Sequence, residues 1–190
     1  MKLALIGYGK MGKAIEAEIQ RMAEENQKKA PQIILKIDVN NAKDFTAKNL
    51  KNADVAIEFT SPETAYDNIL KCFDAGIPVV VGTTGWYDKL EQVKKLCKEK
   101  NSCLFYASNF SIGVNVFFKL NEQLAKMMNN YSDYNISMEE IHHVHKLDAP
   151  SGTAISLANQ IIENIKRKKK YVNTKTEKAE ELEIISKRID

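Results

Sequence analysis

The chain has 190 residues, of which 44% are hydrophobic and 28% are charged. This length fits one domain or two small ones, and the composition excludes disordered, collagenous and fibrous proteins. The formal charge of +3 is too small to indicate nucleic acid, an acidic substrate or a membrane surface. Partners must therefore be inferred from individual sites.

Cysteine usage and hydropathy indicate the compartment. Cys72, Cys97 and Cys103 form no CxxC pair, which argues against a disulfide framework and a zinc ribbon. No apolar run approaches the ~20 residues of a membrane span, and the run over residues 3–6 is too short for a signal peptide. We therefore expect a cytoplasmic protein with no membrane partner.

Over residues 1–108, short apolar runs alternate with segments of helical period, which predicts βαβ units around a parallel sheet. Five runs are continuous enough to be strands buried on both faces: residues 2–6, 33–38, 55–59, 78–81 and 103–106. Apolar stripes at helical spacing lie between them, over residues 11–22 and 90–97.

The rhythm changes after residue 109. Helices are predicted over about residues 113–129 and 151–169, and strands over 134–143 and near 182–186. We therefore predict an α/β protein in which a Rossmann-type parallel-sheet domain, residues 1–109, precedes a smaller α+β domain, residues 110–190.

A glycine-rich loop follows the first predicted strand. Gly7, Gly9 and Gly12 form G-x-G-x-x-G where a helix opens, the context that the dinucleotide fingerprint requires. Gly7 permits the tight turn, Gly9 lets a pyrophosphate approach the backbone, and Gly12 lets the helix pack close to the strand. The alternative is a tight structural turn.

Asp38 closes the second predicted strand, where an acid would hydrogen-bond the adenosine ribose and repel a 2′-phosphate. Val39 and two asparagines follow, and the first cation after them is Lys43. These residues mildly favour NADH over NADPH, although a flexible lysine can reach a phosphate. The alternative for Asp38 is a solvated acid at a strand end.

The carboxyl ends of the later strands carry small, hydroxyl and amide residues at positions 59–62, 82–85 and 107–110. Each segment alone is also typical of a βα loop with a helix cap. Because ligands lie beyond the carboxyl ends of parallel strands, their agreement at one edge indicates the place of a nicotinamide and its ribose.

All three histidines lie in the segment His142-His143-Val144-His145-Lys146. Neighbours on a strand face opposite ways, so His142 and His143 can share a pocket only where the strand ends. The spacing matches no zinc pattern, and we predict no metal. A histidine beside a lysine suits acid–base chemistry on an anionic substrate; the alternative is a polar strand end before a capped helix.

The residues that follow, Asp-Ala-Pro-Ser-Gly-Thr at 148–153, predict a helix start. Asp148 or the pair Pro150 and Ser151 would begin the helix, with the proline pre-set for its first turn. Ser151, Gly152 and Thr153 would then offer backbone N–H groups and two hydroxyls to a carboxylate or phosphate.

A basic run at residues 166–170 ends the last predicted helix. It is typical of a solvated helix C-terminus favoured by the helix dipole, and we prefer this interpretation to a nucleic-acid patch.

The segments GYGKMG, IEFTSPE, GTTGW, ASNFSIGVN and EEIHHVHKLDAPSGTA, in this order over residues 1 to about 155, resemble the dihydrodipicolinate (4-hydroxy-tetrahydrodipicolinate) reductase family. The resemblance implies an NAD(P)H-dependent oxidoreductase of diaminopimelate and lysine biosynthesis. It would reduce 4-hydroxy-tetrahydrodipicolinate, via the cyclic dicarboxylate dihydrodipicolinate, to tetrahydrodipicolinate.

The resemblance also implies residue roles. His142 would donate or accept a proton, and Lys146 would be a second donor that helps to hold a carboxylate. Substrate would be bound by His143, Gly152 and Thr153. The dinucleotide would be bound by Gly7, Tyr8, Gly9, Lys10, Met11, Gly12, Asp38, Gly82, Thr83, Thr84, Ala107, Ser108, Asn109 and Phe110.

The chain departs from the family pattern in two places. Val39 stands where many members have an arginine, which puts NADPH use in doubt. The family also continues beyond Asp190 with strands and a helix that complete a mixed sheet at the core of a homotetramer. We therefore expect residues 110–190 to be a substrate-binding and oligomerisation domain that is incomplete at its C-terminus.

Two other hypotheses use the same sheet. An oxidoreductase acting on another imine, such as an amino-acid dehydrogenase, needs the glycine loop and GTTG but not the HHVHK and DAPSGT segments. A catalytically silent dinucleotide-binding or assembly module would bind cofactor and turn nothing over. The histidine–lysine segment favours the reductase.

Overall fold

The computed structural model describes residues 1–25 and 30–190. The chain divides into two compact units, Met1–Ser108 and Asn109–Asp190. Among the described residues, no helix is both long and apolar enough to cross a bilayer.

The first unit is built on a sheet of five parallel strands. They are β1 (Lys2–Ile6), β2 (Gln32–Ile37), β3 (Val55–Glu58), β4 (Val79–Val81) and β5 (Leu104–Tyr106). All five predicted strands are confirmed to within one residue at each end. Their order is β2-β1-β3-β4-β5, so the chain adds β2 on one side of β1 and then β3, β4 and β5 on the other. Ligands of open parallel sheets bind at such a switch point, which here lies between β1 and β3.

Helices connect these strands. They are α1 (Lys10–Glu24), α2 (Ala47–Leu50), α3 (Pro62–Asp74) and α4 (Leu90–Glu99), with short 3-10 helices at Val39–Asp44 and Tyr87–Lys89. Pro62 occupies the first turn of α3, where its missing N–H costs nothing. The core between helices and sheet includes Leu50, Ile69 and the single tryptophan, Trp86.

The second unit contains the helices α5 (Ile112–Met128) and α6 (Gly152–Asn164) and the strands β6 (Ser137–His142), β7 (Lys170–Val172) and β8 (Glu181–Arg188). The strands form a parallel sheet in the order β6-β8-β7, and His142 pairs with Arg188 where β6 and β8 end. A separate core contains Ala125, Ala158, Ile165 and Ile184.

The structure contradicts two expectations about the end of the last predicted helix. Helix α6 ends at Asn164, because Ile165 adopts extended backbone and enters the core. The basic run is therefore not a solvated helix end. Arg167 donates hydrogen bonds to four backbone carbonyls, and Lys168, only 4% exposed, donates to the carbonyl of Glu181 and to Asn135.

Candidate functional site

The glycine loop of the first unit requires glycine at its first position. Gly7 has φ +95°, and a Cβ there would lie 1.9 Å from the backbone oxygen of Phe59. The Gly7 N–H donates to the Ile37 carbonyl at 2.9 Å. The loop is thereby fixed against the ends of both β2 and β3.

The other two glycines of the loop differ in what surrounds them. A Cβ on Gly12 would lie 2.4 Å from the Gly7 oxygen, whereas a Cβ on Gly9 would meet nothing within 4 Å. Gly12 therefore serves packing. Gly9 is the N-cap of α1 and faces open space, so an anionic group can approach the backbone N–H groups of the helix start. The loop fits a pyrophosphate.

Two clefts meet at this loop, and Gly9, Phe59 and Thr60 line both of them. One, of about 480 Å³, is also lined by Gly7, Tyr8, Asp38, Val39, Phe45 and Lys71, among others. The other, of about 370 Å³, is also lined by Lys10, Met11, Pro62, Gly82, Thr83 and Thr84. Most of the predicted cofactor residues are thus brought to two adjoining clefts.

The remaining predicted cofactor residues line neither cleft. Gly12 packs against the loop itself. Ala107 and Ser108 follow β5, while Asn109 and Phe110 belong to the second unit. There the Asn109 side chain accepts the Ser111 N–H at 2.8 Å, just before α5 begins.

Asp38 is the N-cap of the 3-10 helix Val39–Asp44 and accepts the Val39 N–H at 2.8 Å. Its backbone N–H donates to the Asn41 side chain at 2.7 Å. The carboxylate is therefore held at the end of β2, on the wall of the larger cleft. Beside it, the Val39 side chain is exposed and adds no charge.

A buried polar network behind the two clefts escaped the sequence analysis. The Glu58 carboxylate is fully buried and accepts hydrogen bonds from the Thr60 hydroxyl and, at 3.4 Å, from the Asn68 amide. The Thr60 N–H in turn donates to the Thr83 hydroxyl at 2.7 Å. This network joins the ends of β3 and β4. Glu58 closes an otherwise apolar strand, and only the burial of that strand end distinguishes it from a surface acid.

In the second unit, His142 is the last residue of β6, and its Nε2 lies 2.8 Å from Glu140 Oε2. The two side chains share one face of the strand because they are two residues apart. The strand ends at His142, so the condition under which His143 could share its pocket is met. The rings of His143 and His145 lie 6.1 Å apart, centroid to centroid.

Glu140 is a second residue that the sequence analysis missed. Its Oε1 accepts hydrogen bonds from the Ser151 N–H at 2.9 Å and the Ser186 hydroxyl at 2.7 Å. Burial opposes ionisation of this carboxyl, but the hydrogen bonds from Ser151, His142 and Ser186 outweigh it and lower the pKa of Glu140 to about 2. The side chain is therefore an anion at neutral pH.

The start of α6 differs from the expectation. Ser151 is the N-cap: its hydroxyl accepts the Ala154 N–H at 3.1 Å, and its own N–H is taken by Glu140. The Ser151 N–H is therefore not available to a ligand, and Pro150 precedes the cap instead of occupying the first turn. Gly152 and Thr153 are the first two helical residues, whose N–H groups have no partner within the helix. A Cβ on Gly152 would meet nothing within 4 Å.

Lys146 lies in the loop between β6 and α6, and its Nζ is 2.8 Å from Asp148 Oδ1. This hydrogen bond lowers the pKa of Asp148. Arg188, at the end of β8, donates to the Lys146 carbonyl at 2.9 Å and to the Asp148 carbonyl at 2.7 Å. The loop that carries the lysine is thus fastened to the strand beside His142.

Within residues 1–25 and 30–190, no group of three or more His, Cys, Asp or Glu side chains is arranged to hold a metal ion. The second unit instead gathers an imidazole, a carboxylate, an ammonium group and a helix N-terminus near the ends of β6 and β8. Such a set can transfer protons and bind anionic groups.

The glycine loop at the switch point of a parallel sheet is typical of the Rossmann-type fold of dinucleotide-binding proteins. The family model described as the N-terminus of dihydrodipicolinate reductase matches residues 1–110. The model described as its C-terminus matches residues 113–190. The chain belongs to the dihydrodipicolinate reductase family.

Individual relatives agree with this assignment. The chain is 48% identical over 165 residues to the 4-hydroxy-tetrahydrodipicolinate reductase of Christiangramia forsetii, an alignment that covers 86% of the chain and 64% of that relative. The chain thus spans less than two thirds of the length of this relative.

Solved structures show the same fold. The dipicolinate-bound dihydrodipicolinate reductase from Paenisporosarcina sp. TG-14 superposes with a TM-score of 0.73 at 22% identity, covering 100% of this chain and 78% of that one. An oxidoreductase from Bacteroides fragilis, described as putative, superposes with a TM-score of 0.51 at 16% identity, covering 86% and 51%. At these identities the likeness concerns the fold.

Proposed function

We propose that the chain carries the reductase activity for which its relative is named, the NAD(P)H-dependent reduction of 4-hydroxy-tetrahydrodipicolinate, via dihydrodipicolinate, to tetrahydrodipicolinate. The observation that carries the proposal is the cluster in the second unit, where His142, Glu140 and the start of α6 are hydrogen-bonded together. The solved relative binds dipicolinate, a cyclic dicarboxylate, and a substrate of that class needs both anion binding and proton transfer.

The first unit would bind the dinucleotide. When bound, the nicotinamide supplies a hydride to the conjugated carbon of the substrate. Gly9 and the start of α1 would hold the pyrophosphate, and Asp38 would accept a hydrogen bond from the adenosine ribose. Because Asp38 is an acid and Val39 carries no charge, we propose that NADH is preferred to NADPH.

Further cofactor contacts are proposed on the same basis. Gly7, Tyr8, Lys10 and Met11 would complete the phosphate end, with Gly12 supporting the loop. Gly82, Thr83 and Thr84 line the smaller cleft and would face the nicotinamide ribose. The family resemblance adds Ala107, Ser108, Asn109 and Phe110 to the nicotinamide end.

The second unit would bind and protonate the substrate. Hydride delivery leaves an enamine, and His142 would protonate it, with Lys146 as the second proton donor. The Lys146 ammonium, His143 and the N–H groups of Gly152 and Thr153 would hold the carboxylates. In this proposal the enzyme works in the cytoplasm, in diaminopimelate and lysine biosynthesis, as a homotetramer.

The test is oxidation of NADH and of NADPH, followed by absorbance, with freshly generated 4-hydroxy-tetrahydrodipicolinate and with the Christiangramia forsetii relative as positive control. Substrate-dependent oxidation by the 190-residue chain, faster with NADH, supports the proposal. Dinucleotide binding without oxidation contradicts it and favours a silent binding module. Oxidation with another cyclic imine alone would indicate a different oxidoreductase.

The substitution His142→Ala is expected to lower kcat about 100-fold or more, because it removes a general acid. Dinucleotide affinity should stay within about twofold, since His142 is not one of the proposed cofactor contacts. Steady-state kinetics and fluorescence titration with NADH measure the two quantities. His145→Ala, in the exposed loop that follows β6, is the control; an unchanged kcat in His142→Ala would remove His142 from the mechanism.

A further inference from the structure

The two ring nitrogens of His142 have different surroundings. Nε2 lies 2.8 Å from Glu140 Oε2, while the other Glu140 oxygen is engaged by the Ser151 N–H and the Ser186 hydroxyl. An ionised carboxylate can accept hydrogen bonds but cannot donate one. The proton of a neutral His142 must therefore reside on Nε2, which leaves the lone pair on Nδ1.

We propose that Glu140 is a positioning residue that holds His142 through its Nε2–H, so that Nδ1 is the atom that gives and takes the proton. The proposal rests on the proposed reductase function and adds which atom reacts and what fixes it. The doubly protonated ring would release its Nδ1 proton to the enamine carbon. The electron pair of the N–H bond stays on Nδ1, the enamine electron pair forms the new C–H bond, and neutral imidazole remains bonded to Glu140 through Nε2–H.

The same carboxylate also ties the proton donor to the anion-binding end of α6. One Glu140 oxygen bonds His142, and the other bonds the N–H of Ser151, which immediately precedes Gly152 and Thr153. The Ser186 hydroxyl, from β8, adds a third anchor. Glu140 is only 11% exposed, and both of its carboxylate oxygens are hydrogen-bonded. The imidazole and the helix start are therefore fixed relative to one another.

The substitution Glu140→Gln tests the hold on His142 without a change of shape. The Ser151 N–H can only donate, so it will select the amide oxygen of the glutamine. The amide NH2 then faces His142 and donates to Nε2, which must carry the lone pair. We expect Glu140→Gln to move the histidine proton from Nε2 to Nδ1.

Nitrogen NMR of the chain labelled with 15N-histidine reads this proton directly, at about pH 8.5, above the usual titration range of histidine. The chain has three histidines, so His143→Gln and His145→Gln assign the signals. An Nε2–H tautomer in the wild type and an Nδ1–H tautomer in Glu140→Gln support the proposal. An Nδ1–H tautomer in the wild type overturns it, even if the variant misfolds; an unchanged tautomer in a folded variant also overturns it.

Two controls separate this effect from general damage to the sheet. Glu139→Gln changes a neighbouring acid whose carboxylate pairs with Lys187 and is half exposed, and Ser186→Ala removes one anchor of Glu140 without touching His142. Both should keep the Nε2–H tautomer. A tautomer change in Glu139→Gln would overturn the assignment to Glu140.

Kinetics then connects the tautomer to the reaction. Glu140→Gln should lower kcat about 100-fold, as for a histidine held in the wrong tautomer, while the KM for NADH stays within about twofold. Equal kcat values for Glu140→Gln and wild type would overturn the role of Nδ1. A wild-type chain without turnover overturns the proposed function instead. The nitrogen spectra test whether Glu140 fixes the His142 tautomer, and this test does not require turnover.

Discussion

At the scale of single residues, the glycine loop shows how one motif combines two physical requirements. Gly12 is needed because a side chain would strike the protein, and Gly9 faces open space at a helix N-terminus. Only the first requirement concerns the fold. The second concerns whatever approaches the loop from outside, so the two positions can be separated by experiment.

Gly12→Ala is expected to lower the free energy of unfolding by about 1–3 kcal/mol, because its Cβ would lie 2.4 Å from a backbone oxygen that cannot move freely. Gly9→Ala should change that free energy by less than about 0.5 kcal/mol but weaken NADH binding about tenfold or more. Urea denaturation and fluorescence titration measure the two effects. If Gly9→Ala bound NADH as tightly as the wild type, the loop would not be the pyrophosphate site.

At the scale of secondary-structure elements, the turn after α5 depends on a side chain from a distant segment. Arg167 donates to the carbonyls of Met128, Asn129, Tyr131 and Tyr134. Carbonyls at and beyond a helix C-terminus lack partners within the helix. One guanidinium, with five N–H donors in a fixed plane, supplies partners for the whole turn.

Arg167→Lys should therefore destabilise the second unit by about 1–3 kcal/mol, since one ammonium group cannot reach four carbonyls that surround a planar donor. The charge is unchanged, so the loss would come from geometry. Lys169→Ala, an exposed neighbour in the same basic run, is the matched control and should have little effect. Urea midpoints followed by circular dichroism decide; equal midpoints for the Arg167→Lys variant and wild type would contradict this role.

The elements that short stretches of sequence specify were predicted from those stretches alone. The five strands of the first unit are continuous apolar runs. The glycine loop, Asp38 and the His142–Lys146 segment can likewise be identified from their residue types and spacing. The predicted end of α6, at about residue 169, was wrong because Ile165 leaves the helix to enter a core formed by distant residues. Strand β7 was missed because it begins at Lys170, inside the basic run, so no continuous apolar run marks it.

Glu140 and Glu58 were missed for a related reason. Two of the three partners of Glu140 lie 11 and 46 residues away in the chain, and Glu58 differs from a surface acid only in its burial. Neither spacing nor periodicity carries such information. The role of Glu140 depends on β8 and the start of α6 lying beside β6, and that of Glu58 depends on α3 covering the end of β3; the sequence alone gives neither arrangement.

At the scale of the whole molecule, each unit has its own sheet and its own hydrophobic core. The larger core, in the first unit, contains Trp86, which is 1% exposed. The smaller, in the second unit, contains three alanines among its seven buried residues. Because buried apolar area dominates stability, the second unit is expected to be the less stable of the two.

Equilibrium unfolding in urea should accordingly show two transitions. Circular dichroism should begin to fall at lower urea than Trp86 fluorescence, because the single tryptophan reports only on the first unit. Residues 1–108 expressed alone are the control, and their fluorescence transition should coincide with that of the whole chain. Coincident transitions by both probes in the whole chain would show that the units unfold as one.

The Phe59 ring has a consequence for how this chain can vary. A Cβ on Gly82 would lie 2.0 Å from a ring carbon of Phe59, and one on Gly7 would lie 1.9 Å from the Phe59 oxygen. A side chain at position 82 is therefore excluded by the Phe59 ring, whereas one at position 7 is excluded by the Phe59 backbone. A smaller residue at position 59 would therefore release position 82 but leave position 7 confined to glycine. Over evolutionary time, positions 59 and 82 should change as a pair, whereas Gly7 should stay fixed whatever its neighbours become.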